Sequence, residues 1–369
     1  MKIVFTGGGS GGHIFPLISI IRELRRISGK HIDFYYIGPK DELSFIYFSQ
    51  EDVKIIKIAG GKMRRYFSFQ NIIDIFLKIP FSFFQSLFYL AFMNPALVLS
   101  KGGEGSIAVT FAAKILGINI FLHESDVLPG LSNQKTSRWA KKIFTSFEKT
   151  EYFEPKKCIL VGNPIREAIL GGDIETAKEL FSITLTKPVL LVLGGSQGAQ
   201  AINDFVLNSI NTVLEDYEVI HVAGRKNYEE VTKESQVSIH DNFKKYYHLY
   251  DFLEEEKLKH AYQIADLIIA RAGSGLIFEI AALGKPSILI PLSSESSNNH
   301  QAKNAYTYEK MGACIVIEQD NLTPHFFLDN VKMLFLNKEK LASMKQAALL
   351  FAKPLAAKTI AREILEYLG

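Results

Sequence analysis

The chain has 369 residues, 47% of them apolar and 22% charged, with a formal net charge of +3. That length exceeds one typical hydrophobic core and predicts two domains. The composition excludes a disordered or fibrous chain, and so mild a charge gives no electrostatic footprint for nucleic acid, so no nucleic-acid partner is expected. Cys158 and Cys314 each lie in or beside an apolar run. Two cysteines so placed make neither a disulfide framework nor a metal spacing, and they fit a reducing compartment.

Taken in order, Lys2 to Thr6 reads as a buried parallel strand, and no secretory leader is expected ahead of it. Gly7-Gly8-Gly9-Ser10-Gly11-Gly12-His13 follows, then a helix from about Phe15 to Ile27 with Ile18, Ile21 and Leu24 at helical spacing. A loop this rich in glycine brings backbone close to a ligand. It is neither a dinucleotide fingerprint nor a Walker loop: no acid ends the second strand, Ile32 to Ile37, and no Gly-Lys-Ser/Thr follows. His13 is the titratable side chain of this loop. It reads either as a general base working near neutral pH or as a helix-start residue that binds backbone or water.

After a helix from Asp41 and a strand from Val53 to Ile58 comes a basic and then apolar stretch. Lys62, Arg64 and Arg65 precede the Phe-rich segment 69–93, in which only Asp74 and Lys78 are charged between Ile72 and Met93. A membrane-spanning helix needs about 20 unbroken apolar residues. Asp74, Lys78, Pro80 and Gln85 interrupt this run, so two short helices are expected in place of a span. Their phenylalanines exceed what one core face needs. That favours a patch dipping into a bilayer, with Lys62, Arg64 and Arg65 on anionic head groups, over a packed helix pair.

Strands at Ala96 to Ser100, Ile118 to Leu122, Lys142 to Thr145 and Cys158 to Val161 continue the first series, which leaves through Gly162-Asn163-Pro164-Ile165-Arg166. A second series opens with Pro188 to Leu193 and another glycine loop, Gly194-Gly195-Ser196-Gln197-Gly198. Tyr217 to Val222 and Tyr246 to Phe252 read as further strands. Leu267 to Ala270 is a strand running into Arg271-Ala272-Gly273-Ser274-Gly275 and a helix from about Leu276 to Leu283 that carries one acid, Glu279. A strand, turn and helix so arranged aim helix-start N–H groups at the space above the strand end, where the helix dipole favours an anion such as a diphosphate. A carboxylate one turn inside the helix can accept hydrogen bonds from vicinal sugar hydroxyls. Three glycine loops at strand ends suggest two similar doubly wound domains.

Five groups of residues together resemble the MurG family of bacterial N-acetylglucosaminyltransferases, which convert lipid I to lipid II in peptidoglycan synthesis. They are Gly8 to His13 with Pro16; His123-Glu124 with Gly130 and Asn133; Gly162 to Arg166; Gly194 to Ala199; and Arg271-Ala272-Gly273 with Glu279, Asn299-His300-Gln301 and Asn304-Ala305. The resemblance implies an α/β GT-B fold, two Rossmann-like domains facing across a cleft. The acceptor and membrane domain would be 1–163 joined by a C-terminal helix at 353–369, and the UDP-GlcNAc domain 164–352. It further implies that Glu279 accepts the ribose hydroxyls and that Arg166, Ser196 and Gln197 lie near the diphosphate and sugar. The helix start Ser274-Gly275-Leu276 belongs to the donor site, Gln301 contacts the sugar, and Leu253 offers backbone to uracil. Ser10, Gly11, Gly12, His13 and Asn133 form the acceptor half. The reaction implied is inverting transfer to the C4 hydroxyl of the N-acetylmuramoyl unit, with His13 as base, at the cytoplasmic face of the plasma membrane. No Asp-x-Asp occurs, so no protein-held metal is expected, which leaves room for a divalent cation that assists. Glu104 and Asp126 depart from the family pattern and would repel a pyrophosphate unless paired. A UDP-GlcNAc 2-epimerase, another glycolipid glycosyltransferase and a UDP-sugar-binding scaffold without turnover are the rival readings.

Overall fold

The computed structural model describes residues 1–61, 73–148, 152–195, 198–293 and 299–369. The chain divides into two units, Met1–Ile165 with Lys353–Gly369, and Arg166–Ala352.

In the first unit the apolar runs pair into a parallel seven-stranded sheet, in the order β3-β2-β1-β4-β5-β6-β7. The strands are β1 (Lys2–Thr6), β2 (Asp33–Pro39), β3 (Lys54–Ile58), β4 (Leu97–Ser100), β5 (Asn119–Glu124), β6 (Lys142–Thr145) and β7 (Cys158–Leu160). β1 is central, with Thr6 in register with Ser100 of β4 and Phe5 with Tyr36 of β2. Its alternate side chains enter opposite layers, because successive strand residues point to opposite faces. Ile3 and Phe5 pack with Ile14, Leu17 and Ile21 of α1 (Gly11–Ile27) and with Ile360 and Ile364 of the last helix, Ala356–Leu368. Val4 packs with Val109, Ala112 and Ala113 of the helix Ser106–Ile115. Burial on both faces is why these strands are continuously apolar.

The second unit repeats the plan with six parallel strands in the order β10-β9-β8-β11-β12-β13. These are β8 (Val189–Leu193), β9 (Glu218–Val222), β10 (Tyr247–Tyr250), β11 (Leu267–Ala270), β12 (Ser287–Leu289) and β13 (Cys314–Val316). Leu191 and Leu193 of β8 face one layer, Leu190 and Val192 the other. In both sheets the chain starts in the middle, moves to one edge, then returns to the other side of its first strand. That puts a topological switch between β1 and β4 and another between β8 and β11, the places where open α/β sheets bind ligands beyond their strand ends.

The Phe-rich stretch corrects one expectation. The break at Pro80 does not occur: Asp74–Met93 is one helix of 20 residues, long and apolar enough to cross a membrane by length and composition. Its first five residues, Asp74–Lys78, form a π-helical turn, and Pro80 stands in the opening turn of the α-helical part, Ile79–Met93. At that place a missing N–H costs little. The helix is amphipathic in an unusual sense. Ser82, Ser86 and Leu90 face inward, with Ser82 Oγ donating to Gly60 O at 2.7 Å and Gln85 Oε1 accepting from Ala59 N at 2.9 Å. Leu77, Phe81, Phe84, Phe88 and Phe92 face outward, with Phe92 76% exposed. Small residues inward let the helix backbone lie close to the domain. Lys62, Arg64, Arg65 and the start of the 69–93 segment lie outside the described residues.

Candidate active site

The glycine loops lie beside the two switch points. In the first unit the loop after β1 meets the loop after β4. Gly103 has φ +87, and a Cβ on it would lie 2.7 Å from the Gly8 nitrogen, so only glycine lets these backbones touch. Ser106 Oγ and Ser132 Oγ both donate to Gly103 O, at 2.8 and 3.1 Å. α1 starts at Gly11, four residues before the position read from its apolar pattern, so Gly11, Gly12 and His13 form its first turn. No side chain caps that turn, because Ser10 Oγ is instead 2.7 Å from His13 Nδ1. This contact fixes the imidazole, and its other nitrogen, Nε2, faces Gly103.

Beneath these loops lie polar groups taken out of water. Asn133 is buried. Its Nδ2 donates to His123 O at 3.1 Å and to Glu124 Oε2 at 2.9 Å, and its Oδ1 abuts Gly102. Asn133 therefore holds the end of β5 by its amide nitrogen and packs against the double-glycine loop by its oxygen. Glu124 also accepts from the backbone nitrogens of Asp126 and Gly130, at 3.0 and 3.1 Å. Burial, with Asp126 beside it, pushes the Glu124 carboxyl up. Lys101 follows β4 and is buried with no hydrogen-bond partner for its Nζ. Burial pulls its ammonium down to about 8, against the opposing pull of Glu124 and Asp126. Burial, with the Lys101 charge nearby, holds His123 well below the usual histidine range. The two departures flagged in the sequence are thus engaged: Asp126 shares the field of Lys101, and Glu104 Oε1 accepts from Gly61 N at 3.4 Å.

In the second unit β11 runs into Gly273, which caps the helix Ser274–Ala282 through its backbone alone. Ser274, Gly275 and Leu276 make the first turn, two residues earlier than the sequence pattern suggested, and no side chain caps their N–H groups. Glu279 follows one turn later and is 6% exposed. Its Oε1 accepts from Arg166 Nε at 3.0 Å and Nη2 at 2.8 Å, and its Oε2 accepts from Tyr262 Oη at 2.9 Å. Burial opposes the Arg166 charge, yet Glu279 beside it holds the guanidinium above its usual pKa. Gln301, in the first turn of the helix His300–Lys310, uses Oε1 to accept from Leu292 N at 3.1 Å, which leaves its amide nitrogen to reach a ligand. Leu253 lies between β10 and the helix Glu255–Ile264 with its side chain in the core. Ser196 and Gln197 lie outside the described residues; their loop is flanked by Gly195 and Gly198, with Gly198 N donating to Gly195 O at 3.0 Å.

The structure thus gathers Ser10, Gly11, Gly12 and His13 at one switch point, with Asn133 beneath. It gathers Arg166, Glu279 and the 274–276 turn at the other. Sequence reasoning missed Lys101 and Tyr262. Tyr262 reads as core from its helical spacing with Leu258, and Lys101 reads as a surface charge at a strand end. Among the described residues no group of three His, Cys, Asp or Glu side chains is placed to hold a metal.

Two family models match the chain: the glycosyltransferase family 28 N-terminal domain over residues 3–145 and the C-terminal domain over residues 189–360. The chain belongs to glycosyltransferase family 28. Among family 28 relatives it is 36% identical, over 94% of its length and 96% of theirs, to the UDP-N-acetylglucosamine--N-acetylmuramyl-(pentapeptide) pyrophosphoryl-undecaprenol N-acetylglucosamine transferase of Clostridium kluyveri. It is 33% identical to the protein of the same name from Clostridium tetani, over 94% of both chains. The solved structure of Acinetobacter baumannii MurG superposes with a TM-score of 0.74 at 23% identity over 99% of both chains. A Neisseria meningitidis UDP-GlcNAc 2-epimerase bound to UDP-GlcNAc reaches 0.69 at 16% identity, covering 99% of this chain and all of that one. The GT-B fold is therefore shared by transferases and epimerases, and it is the sequence of the family 28 chain that separates them.

Proposed function

We propose that this protein transfers N-acetylglucosamine from UDP-GlcNAc to the C4 hydroxyl of the N-acetylmuramoyl unit of lipid I, giving lipid II for the cell wall. One observation carries this reading: identity of 33–36% over 94% of the chain to transferases named for that reaction, where fold alone would leave the epimerases level. The geometry supports a division of labour. In the second unit Glu279 accepts ribose hydroxyls. The uncapped N–H groups of Ser274, Gly275 and Leu276, with Arg166, meet the negative charge that grows on the diphosphate as UDP leaves. Gln301 meets the sugar through its free amide nitrogen, Leu253 lies on the uracil side, and Ser196 and Gln197 belong to the diphosphate and sugar. In the first unit the first turn of α1 receives the acceptor. His13, its ring held by Ser10, takes the proton of the attacking hydroxyl; in that tautomer Nδ1–H donates to Ser10 Oγ and the Nε2 lone pair is the base. A divalent cation that assists would ride on the diphosphate.

The same reading puts the protein on the cytoplasmic face of the plasma membrane, resting on the outward phenylalanines of Asp74–Met93, with Lys62, Arg64 and Arg65 toward anionic lipid. The inward serine face supports a helix lying along the domain surface. Flotation with phosphatidylglycerol vesicles tests this. The triple change Phe81→Ser, Phe84→Ser and Phe88→Ser is expected to lower the bound fraction at least about tenfold with melting unchanged, and undiminished flotation would refute the patch.

The activity is tested with UDP-GlcNAc and a lipid I analogue in detergent, following UDP release and product mass. One added N-acetylhexosamine is expected, strongly reduced in His13→Ala and Glu279→Gln. UDP-GlcNAc bound without any glycolipid product would remove the acceptor assignment, and C2 epimerisation of the donor would replace it.

A further inference from the structure

Arg271 follows β11 and is 6% exposed. Its backbone nitrogen donates to Leu193 O, at the end of β8, at 3.3 Å. Its guanidinium reaches across the ends of β12 and β13. Nη1 donates to Ile290 O at 3.2 Å and to Pro291 O at 3.3 Å, and Nη2 donates to Gln319 Oε1 at 2.7 Å. These three acceptors are neutral, and burial pulls the guanidinium down to about 10, so it keeps its charge at neutral pH. A buried cation among neutral acceptors is costly, and an apolar side chain would fill the space without that cost. What distinguishes the arginine is the bonds it makes.

Those bonds lead to the sugar side of the donor site. The pairing of β12 ends with Ile290 N donating to Ala270 O at 2.8 Å and Ile317 N donating to Leu289 O at 3.0 Å. Pro291 has no N–H to continue a ladder. Ile290 O and Pro291 O turn to Arg271, and the next nitrogen, Leu292 N, donates to Gln301 Oε1 at 3.1 Å. A planar guanidinium that bonds through two of its nitrogens fixes direction as well as distance. The line of contacts runs from Gln319 through Arg271 and the two carbonyls to Leu292 N, and from there to the Gln301 amide.

We propose that Arg271 is a positioning residue for the donor's sugar: its guanidinium clamps the exit of β12 so that Leu292 N holds Gln301 Oε1 and aims the Gln301 amide nitrogen at the sugar. This rests on Gln301 being a sugar contact. Arg271 then acts only through Gln301. Loss of its guanidinium frees Leu292 and lets the Gln301 side chain turn. The sugar's share of binding falls, while the uridine diphosphate, whose contacts are assigned to Arg166, Glu279 and the 274–276 turn, binds as before.

The test is calorimetric binding of UDP-GlcNAc and of UDP to the full chain, to Arg271→Met, to Gln301→Ala, to the double variant and to Gln319→Met, with a melting curve for each. In Gln301→Ala and in Arg271→Met the affinity for UDP-GlcNAc is expected to fall about tenfold, the worth of one ligand hydrogen bond, while that for UDP stays nearly level. The double variant is expected to bind UDP-GlcNAc no more weakly than Gln301→Ala alone, because a residue that acts through another adds nothing once that one is gone. Gln319→Met, which frees one end of the guanidinium, is expected to show the same split at about threefold. Equal loss of both ligands in Arg271→Met, or losses that add in the double variant, overturns the proposal and leaves Arg271 a support of the fold. A split seen in Gln301→Ala and absent from Arg271→Met overturns it too. UDP-GlcNAc binding unchanged in Gln301→Ala removes the sugar contact, and the proposal with it. If Arg271→Met loses its cooperative melting transition, Gln319→Met decides, and no split there overturns the proposal.

Discussion

At the β1/β4 switch point, glycine backbone lies on glycine backbone. Of the charged groups below, Lys101 and Glu124 are buried, Glu124 with three hydrogen-bond donors and Lys101 with no hydrogen-bond partner for its Nζ. At the β8/β11 switch point the backbone turn is ordinary, and the side chains arrive already paired, with Arg166 and Tyr262 closing on Glu279. Two units of the same topology therefore prepare their sites by different means. A site of paired side chains is preorganised for a small, chemically constant ligand such as a nucleotide. A site of glycine backbone and helix-start N–H groups, with Ser10 and His13 as its side chains, leaves room for the bulkier acceptor proposed for it. The buried ammonium beneath it supplies a positive field that no ligand has to displace.

Substitutions can break or sharpen this contrast. The largest effect is expected from His13→Ala, which removes the proposed base but leaves the second unit intact. Turnover should fall by about 10²–10⁴-fold while UDP binding, measured by calorimetry, stays level. A matching loss of UDP affinity would mean the two sites are not separable. Next comes Glu279→Ala, which removes the carboxylate paired with the buried Arg166 guanidinium. A destabilisation of about 3–5 kcal/mol is expected, read by chemical unfolding, and much less from Glu279→Gln. Gly103→Ala should cost roughly 1–3 kcal/mol in the first unit. A Cβ there meets the Gly8 backbone and not a yielding side chain, so crystal or solution data showing an undisturbed Gly8 loop would contradict the close packing.

The smallest effect is a pH slope. The Lys101 pKa is near 8 when folded and 10.5 in the reference state. The unfolded chain therefore holds more protons than the native one above pH 8, and stability rises with pH there. The gain is at most about 1.4 kcal/mol per pH unit. It is best read between pH 8 and 9.5, before the buried tyrosines, whose pKa values are raised, begin to act in the opposite direction. Lys101→Met should lack this slope, and an unchanged slope would show that Lys101 reaches water.

Much of this was legible in the residues. Apolar runs located the strands, because strands buried on both faces have no polar alternation to hide them. Glycine loops at strand ends, together with His13 and Glu279, pointed to the candidate site, because close backbone approach demands glycine and titratable side chains at helix starts stand out beside it. What failed was local and has a physical cause. Pro80 breaks a helix only where its N–H is needed, and a π-turn ahead of it removed that need. Gly11 and Ser274 open helices earlier than hydrophobic periodicity shows, because a first turn of small residues carries no apolar signal.

The sequence alone thus determined the strand series, the loops at their ends and, through its family resemblance, the transfer chemistry. Tertiary structure alone decided the partners. Arg166 and Glu279 are 113 residues apart and Tyr262 stands on a third element. Gly8 meets Gly103 only because β4 pairs beside β1. Strand order is set by long-range pairing and burial, and no local pattern encodes which strands become neighbours.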